Sequence, residues 1–282
     1  MTSGGCGSIN VLSVCARLGM SRQNYYQKRR RRQRRQVEED LVVELVLRER
    51  RLQPRLGGRK VYHLIKVELV NAGVRIGRDR LFEVLALRGL LLAPVKGDWP
   101  CTTQSSHYLP VFKNRIKDLK IYGPNEVWVC DLTYIRTEEG FMYLALITDK
   151  FSRKIVGHDM DERLEVIGSI RALDEAIEGL PHGATPIHHS DRGSQYCCHE
   201  YVQRIGEANL SMSMTEEDHC AENAMAERVN GILKQEYGLG NRIRTKAQAR
   251  AMASNAVHLY NTHRPHGALN MEFPERVHTG AK

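Results

Sequence analysis

The sequence contains no run of 18 apolar residues, so it predicts no membrane-spanning helix. Its first 20 residues lack a basic segment followed by a long apolar stretch, and we therefore expect no signal peptide. The seven cysteines are odd in number and include no CxxC pair. This argues against a disulfide framework or a zinc knuckle and favours a reducing cytoplasm. The segments YCCHE and DHC are accordingly interpreted as buried or idle thiols.

The net charge of +9 is unevenly distributed along the chain. Residues 1–120 hold 25 Lys and Arg against 10 Asp and Glu, whereas residues 121–282 hold 17 against 23. A basic front half is typical of polyanion binding, and an acidic rear half suits chemistry that needs carboxylates. Segment 28–35, KRRRRQRR, is cationic at seven of eight positions. It predicts phosphate contact, with a solvated helix face as the alternative.

Segment 11–29 resembles a helix-turn-helix, with a turn at Gly19 and with Ser21 able to cap the second helix. A plain helical hairpin is the alternative interpretation. The candidate DNA contacts in this half of the chain are polar or cationic side chains. They are Arg22, Gln23, Asn24, Arg29, Arg30, Arg31 and Arg32.

The rest of the front half predicts further helices and a linker. The helices are expected over residues 37–53, 59–73 and 75–92. Pro54 ends the first of them. Residues 93–120 contain three prolines and no strong periodicity, so they are interpreted as an interdomain linker. The sequence thus predicts a helical DNA-binding region over residues 1–92.

From residue 126 the apolar pattern changes to a period of two, which is typical of strands. The predicted order is βββαβαβα, a mixed α/β layout around a central sheet. Strands are expected at 126–137, 141–149, 154–160, 186–191 and 211–214, and helices at 164–180, 198–210 and 221–238. A further helix in the tail is expected to stop near Pro265.

Two aspartates of this half could meet. Asp131 lies within an apolar strand, where a charge is costly unless it is paired or coordinates a metal. The alternative is a partly exposed position on an edge strand. Asp191 ends the fourth strand, and it would approach Asp131 if the first and fourth strands were neighbours. Two such carboxylates repel each other unless a cation lies between them.

A third carboxylate is expected from the helix at 221–238, which offers Glu222, Glu227 and Glu236. Glu227 has Asn223 four residues before it and Lys234 seven after it, so the three side chains would share one helical face. Lys234 would then lie about 10 Å along the axis from Glu227. Small neighbouring alanines would let this face approach the sheet.

Asp131 in WVCDLTYI, Asp191 in HSDRGSQY and Glu227 in ENAMAERVNGILKQE resemble the DDE triad of transposases and retroviral integrases. The first two are separated by 59 residues and the last two by 35, the spacing that this family favours. The segments DKFSRKIVG and YNTHRPHGALNMEFPE look like further signatures of insertion-sequence-three (IS3-type) transposases of the OrfB type. The resemblance covers roughly residues 10–280.

The resemblance implies a ribonuclease-H-like, integrase-type α/β catalytic core over residues 121–240, preceded by the all-α helix-turn-helix region and followed by a helical extension over 241–282. It implies two Mg²⁺ ions, with Mn²⁺ as an alternative, held by Asp131, Asp191 and Glu227. It also implies DNA strand cleavage and strand transfer at the terminal inverted repeats of an element and at target DNA. Lys234 and Asn223 are the expected DNA contacts near this site.

Partners and competing functions follow from the same resemblance. Pairing two element ends implies at least a homodimer on double-stranded DNA, and relatives of this type often act as a fusion with an upstream OrfA product. We expect a cytoplasmic, nucleoid-associated bacterial protein. The alternatives are a non-catalytic DNA-binding regulator and a metal-dependent nuclease without strand transfer.

Three other features are assigned more modest roles. One of His188 and His189 is expected in the core, because neighbouring strand residues face opposite sides. Asp149 is interpreted as a turn former rather than a catalytic group. The HRPH segment at 263–266 either contacts DNA or simply ends the last helix.

Overall fold

The computed structural model describes residues 10–94, 108–216 and 222–280. The chain divides into two compact units. The first unit extends to Arg48 and continues over Ile65–Leu91, and the second comprises Glu49–Leu64 and the chain from Leu92 onward. None of the helices in the described ranges is long and apolar enough to cross a membrane.

The described residues of the front half form four helices, one fewer than the sequence predicts. They are α1 (Val11–Arg17), α2 (Arg22–Leu52), α3 (Gly58–Asn71) and α4 (Arg78–Leu87). The turn between α1 and α2 places Gly19 at a φ of 60°, a conformation that glycine adopts without strain. The hydroxyl of Ser21 accepts a hydrogen bond of 3.2 Å from the N–H of Asn24, which confirms the predicted cap.

The length of α2 corrects the predicted helix boundaries. A short second helix, the basic segment 28–35 and a helix over 37–53 were expected as separate pieces, but all belong to one helix of 31 residues. No proline or glycine interrupts it, and ion pairs from Arg34 to Glu38 and from Arg35 to Glu39 span the expected junction at i, i+4 spacing. The change from basic to apolar side chains therefore alters the surface of the helix, but it does not end the helix.

Five strands form one mixed sheet in the order β3-β2-β1-β4-β5. They are β1 (Val127–Thr137), β2 (Gly140–Asp149), β3 (Ile155–Asp161), β4 (Ile187–Ser190) and β5 (Ser211–Met214). The first three pair antiparallel through tight turns, whereas β4 lies parallel to both β1 and β5. The predicted strand sequence and the adjacency of the first and fourth strands are both confirmed.

Helices cover both faces of this sheet. They are α5 (Val166–Glu178), α6 (Ser194–Cys197), α7 (His199–Glu207), α8 (Ala224–Glu236), α9 (Lys246–Thr262) and α10 (Pro274–Thr279). Trp128 and Cys130 of β1 pack into the core beneath α5 and α7. Ile135, at an odd-numbered position, packs with α8 and α9 on the opposite face. This alternation turns Asp131 toward α8.

Two end segments complete the second unit. Residues 95–107 of the expected linker lie outside the described residues. Residues 108–120 form no helix or strand, yet Ile116 is buried against Val127 and Val129 of β1. Helix α9 ends at Thr262, close to the predicted stop, and α10 beyond it was not predicted.

Candidate active site

Asp131 is held at the centre of β1 by two hydrogen bonds. The backbone N–H of Leu132 donates to Oδ1 at 2.9 Å, and Nδ2 of Asn230 donates to Oδ2 at 2.8 Å. Burial raises the pKa of Asp131 to about 7, and the negative charges of Asp191 and Glu227 add to the rise. Asp131 is therefore a carboxylate under repulsion from two others that are distant in the sequence.

Asp191 reaches this point because of the register between β1 and β4. The parallel pairing aligns Val127 with Ile187 and Val129 with His189, so two residues further on Asp131 lies level with Asp191. Neighbouring strands are about 4.8 Å apart. Asp191 is 9 % exposed, and its Oδ1 accepts a hydrogen bond of 3.0 Å from the N–H of Gly193. The turn after β4 thus fixes the second carboxylate beside the first.

Glu227 belongs to a stripe of α8 that faces β1. Residues 223, 227, 230 and 234 share this stripe because their spacing follows the helical repeat. Nδ2 of Asn223 donates to the carbonyl of Cys130 at 3.1 Å, and Asn230 donates to Asp131. Glu227 lies between Asn223 and Asn230 in the first turn of the helix, and its side chain is exposed. The helix therefore presents Glu227 at the open side of the aspartate pair.

Asn223 and Lys234 are more enclosed than the sequence suggested. Asn223 is 2 % exposed and Lys234 is 7 % exposed. The Nζ atom of Lys234 lies 4.5 Å from the centre of the Tyr134 ring, and burial lowers the pKa of this lysine to about 8 against the opposing effect of Asp131. These contacts favour a structural role for both residues, and their contact with DNA stays a prediction.

The donor set suits a hard divalent cation, since it consists of carboxylates alone. In the described part of the chain, no group of three His, Cys, Asp or Glu side chains lies close enough together to hold a metal ion. Asp131 and Asp191 are fixed by the sheet, whereas Glu227 is exposed and has three rotatable side-chain bonds. The repulsion that raises the pKa of Asp131 is the interaction that a bound cation would reverse. The residues therefore fit a divalent ion.

Asn230 is the site residue that sequence reasoning missed. It is 5 % exposed, and its amide is the only side chain of α8 whose hydrogen bond to Asp131 is resolved in the described residues. Its position was available as a signal, because it lies three residues after Glu227 and four before Lys234 on the same stripe. A search restricted to charged residues passes over it.

The two histidines before Asp191 are both in the core, so the expectation that only one would be buried is wrong. Nε2 of His188 lies 2.8 Å from both the Cys130 sulfur and the Tyr201 hydroxyl, and Nδ1 of His189 lies 2.9 Å from the Ser213 hydroxyl. Burial lowers the pKa of His188 to about 3 and that of His189 to about 4. Both rings pack in the interior as neutral groups because α6, α7 and β5 enclose β4.

Asp149 forms the turn that the sequence predicts. Its Oδ1 accepts hydrogen bonds of 2.7 Å from the N–H and the hydroxyl of Ser152, and its Oδ2 accepts one of 2.7 Å from the N–H of Asn125. The side chain is fully buried. Its acceptors are thus committed to the turn between β2 and β3.

The predicted DNA contacts of the front half lie on α2. All seven side chains, Arg22, Gln23, Asn24, Arg29, Arg30, Arg31 and Arg32, are exposed. Arg29–Arg32 form no ion pair with any described residue. Their charges are consequently available to an anionic partner, and DNA contact by these residues stays a prediction.

Two family descriptions match the second half of the chain. An integrase core domain matches residues 122–220, and a second integrase core domain matches residues 208–274. Together they span the sheet, the three carboxylates and helix α9. One solved structure with a similar fold is the HTLV-2 integrase catalytic core domain in complex with magnesium, at a TM-score of 0.46 and 18 % identity, covering 56 % of this chain and 99 % of that one.

Sequence relatives extend the similarity into the front half. The chain is 34 % identical to the insertion element IS600 uncharacterized 31 kDa protein of Shigella sonnei, covering 94 % of this chain and 98 % of the relative. It is 32 % identical to the transposase for insertion sequence element IS629 of Shigella sonnei, covering 73 % and 69 %. It is 34 % identical to the transposase InsF for insertion sequence IS3A of Escherichia coli K12, covering 61 % and 60 %.

Proposed function

Because the chain belongs to the IS3-type family of insertion-sequence DNA transposases, enzymes with a ribonuclease-H-like DDE core, we propose that Asp131, Asp191 and Glu227 are its catalytic residues. The observation that carries the proposal is geometric: the parallel register of β1 and β4 sets Asp131 level with Asp191, and the hydrogen bond from Asn230 to Asp131 holds the helix of Glu227 against them. The substrates would be the terminal inverted repeats of the element and the target DNA.

The three carboxylates would hold two Mg²⁺ ions, with Mn²⁺ as an alternative. Asp131 would contact both ions, Asp191 one and Glu227 the other. Such ions, when bound, activate an attacking hydroxyl and stabilise the leaving oxygen of a phosphodiester. The chain's own contribution is rigidity: the sheet and the Asn230 hydrogen bond hold the aspartates, and α8 carries the glutamate to them.

The exposed cations of α2 would hold the DNA by phosphate contacts. Arg29–Arg32 supply four adjacent positive charges, and Arg22, Gln23 and Asn24 begin the second helix of the helix-turn-helix. Phosphate contacts position a protein on the duplex, and base contacts specify the sequence.

Because two element ends must be joined, the active form would be at least a dimer, alone or with an upstream OrfA product. It would act on the nucleoid in the bacterial cytoplasm.

The test is strand cleavage and joining with labelled element-end DNA and Mg²⁺. The wild-type chain is expected to nick the end and join it to target DNA. Asp191→Asn and Glu227→Gln are expected to reduce both steps by about a thousandfold or more, since each removes a metal ligand. Asp118→Asn is the matched control. It changes an exposed aspartate that is not part of the proposed carboxylate site, so both steps should be unchanged.

Other outcomes would assign other functions. Nicking without a joined product would indicate a metal-dependent nuclease, and a mobility shift without cleavage would indicate a DNA-binding regulator. Full cleavage by Asp191→Asn would remove the assignment of the catalytic residues.

A further inference from the structure

A second cluster of charged side chains lies in the second unit, outside the carboxylate site. It gathers five basic residues from four segments of the chain. They are Lys60 of α3, Arg153 in the turn between β2 and β3, Arg228 of α8, and Arg264 and His266 after α9. The last two belong to the HRPH segment, whose role the sequence left open.

Positive charge exceeds negative charge in this cluster. Glu236 accepts hydrogen bonds from Lys60 at 2.7 Å and from Arg264 at 2.8 and 2.9 Å. Asp149 also attracts Arg153, but its oxygens are committed to the β2–β3 turn. Four permanent cations thus face two carboxylates. Burial and then the charge of Arg264 lower the pKa of Lys60, although Glu236 opposes the shift.

Polar atoms at the centre of the cluster lack partners. The hydroxyl of Tyr260, the Nε of Arg153 and the Nδ1 of His266 are buried, and each has no hydrogen-bond partner among the described residues. Tyr260 is 0 % exposed, with Arg264 5.5 Å above its ring and the His266 ring at 6.3 Å. Unpaired buried polar groups are costly, and each of these three can carry an N–H or O–H, so their presence in one cluster indicates a site for an acceptor.

The cluster is open to a ligand on one side. Arg228 is exposed, and Arg153, His266 and Lys60 are partly exposed. Their groups are all donors when His266 is neutral, since a neutral imidazole still carries one N–H. Burial, followed by the charges of Arg264 and Arg153, lowers the pKa of His266 to about 4, so the ring is neutral at pH 7. The chemistry that fits is an anion with several acceptor oxygens.

We propose that Lys60, Arg153, Arg228, Arg264 and His266 form a phosphate-binding site that holds a backbone phosphate of the DNA. This inference rests on the proposed function, because it takes DNA as the ligand. Arg228 directly follows Glu227 on α8, so one turn of helix carries both the proposed catalytic glutamate and a phosphate contact. Arg153, Arg228 and His266 donate to the phosphate oxygens, whereas Lys60 and Arg264 supply positive potential from behind.

The test measures binding of a short element-end duplex to the full chain by fluorescence anisotropy, over a range of salt concentrations and without divalent ions. Arg228→Gln and Arg153→Gln are each expected to weaken binding by about tenfold and to reduce the slope of log K against log salt by about one. Arg242→Gln removes the same charge from an exposed position of the second unit and is the control, with affinity and slope unchanged.

Tyr260→Phe gives an independent readout. It removes only a buried hydroxyl that has no partner among the described residues, so it should not lower the melting temperature of the free protein, and it should weaken DNA binding several-fold. The phosphate site would be overturned if Arg228→Gln and Arg153→Gln bound DNA with the same affinity and the same salt dependence as Arg242→Gln. Cleavage by the wild-type chain, measured in parallel, would then show that the proposed function stands without it.

Discussion

The side-chain amide of Asn230 donates a 2.8 Å hydrogen bond to the carboxylate of Asp131, which ties α8 to the centre of β1. Groups that hydrogen-bond to metal ligands typically contribute 10- to 100-fold to activity or metal affinity. We therefore expect Asn230→Ala to lower the cleavage rate by about tenfold and to raise the Mg²⁺ concentration for half-maximal rate. DNA affinity in the absence of divalent ions should not change.

The control for this change is Asn255→Ala, which alters an exposed asparagine of α9 that forms no resolved side-chain hydrogen bond. Equal Mg²⁺ dependence of the Asn230→Ala and Asn255→Ala variants would mean that the hydrogen bond does not position Asp131.

Removal of the Asp131 charge should stabilise the metal-free protein while it abolishes activity. Burial and two neighbouring carboxylates oppose ionisation of Asp131, and Asp131→Asn relieves this cost while its amide oxygen still accepts from Asn230. We expect a gain of about 2 kcal/mol, or roughly 4–8 °C in melting temperature. The measurement is thermal unfolding in EDTA near pH 8. A lower melting temperature than that of the wild type would contradict the repulsion.

The proximity of Asp131 and Asp191 could be predicted from the sequence, because the apolar pattern places one within the first strand and the other at the end of the fourth, whereas the choice of Glu227 depended on the family resemblance. Asp131 and Asp191 were placed on neighbouring strands, and the parallel register bears this out. Asn230 was missed although it lies on the same helical stripe as Glu227, because its hydrogen bond to Asp131 forms only when the helix packs against β1. The buried state of both His188 and His189 was missed because it depends on contacts between distant segments: Tyr201 of α7 contacts His188, and Ser213 of β5 contacts His189.

Asp149 should make stability depend on pH at the acid end. Burial opposes its ionisation, but the imidazole of His278, whose Nδ1 lies 3.9 Å from Oδ1, and the hydrogen bonds from Ser152 and Asn125 outweigh burial and lower the pKa of Asp149. Because the pKa of Asp149 is lower in the folded state, its ionised form stabilises the fold. This contribution is complete above the unfolded pKa of about 4 and is lost as pH falls through the folded-state pKa. Asp149→Asn should cost about 3 kcal/mol at pH 7.

The check is the urea midpoint of both proteins at pH 7 and near pH 3. The difference between wild type and Asp149→Asn should be smaller at the lower pH, because the stability contributed by ionised Asp149 is progressively lost as pH falls below the unfolded pKa of about 4 toward the lower folded pKa. A difference of the same size at both values would show that the turn does not need the charge.

Gly157 lies where β3 meets α5, and only glycine fits there. An added Cβ would come within 2.0 Å of the carbonyl oxygen of Ala172. We expect Gly157→Ala to destabilise the second unit by about 3 kcal/mol, because the strand or the helix must shift. Gly206→Ala in α7 is the matched control, since nothing lies within 4 Å of its new Cβ.

The control should gain up to about 1 kcal/mol from the better helix propensity of alanine. Denaturant unfolding of the two variants beside the wild type measures both effects. Similar stabilities of Gly157→Ala and Gly206→Ala would be inconsistent with the close approach of β3 to α5.

The basic cluster around Tyr260 was beyond prediction because four distant segments assemble it. Lys60 lies in a helix of the front half, and Arg153 lies in a turn that the sequence assigned to chain reversal. The length of α2 was missed for a different reason: a change of composition at residue 37 was interpreted as an element boundary, although no residue there prevents the helix from continuing.

Because the three proposed catalytic carboxylates are far apart along the chain, the proposed site becomes complete only late in synthesis. During synthesis β1 and β4 leave the ribosome first, and they carry two aspartates without a third ligand. Glu227 follows on α8, and that helix packs against α9, which extends to Thr262. A nascent chain therefore holds an incomplete site until almost all of the second unit has been made, so unfinished translation products should leave chromosomal DNA uncut.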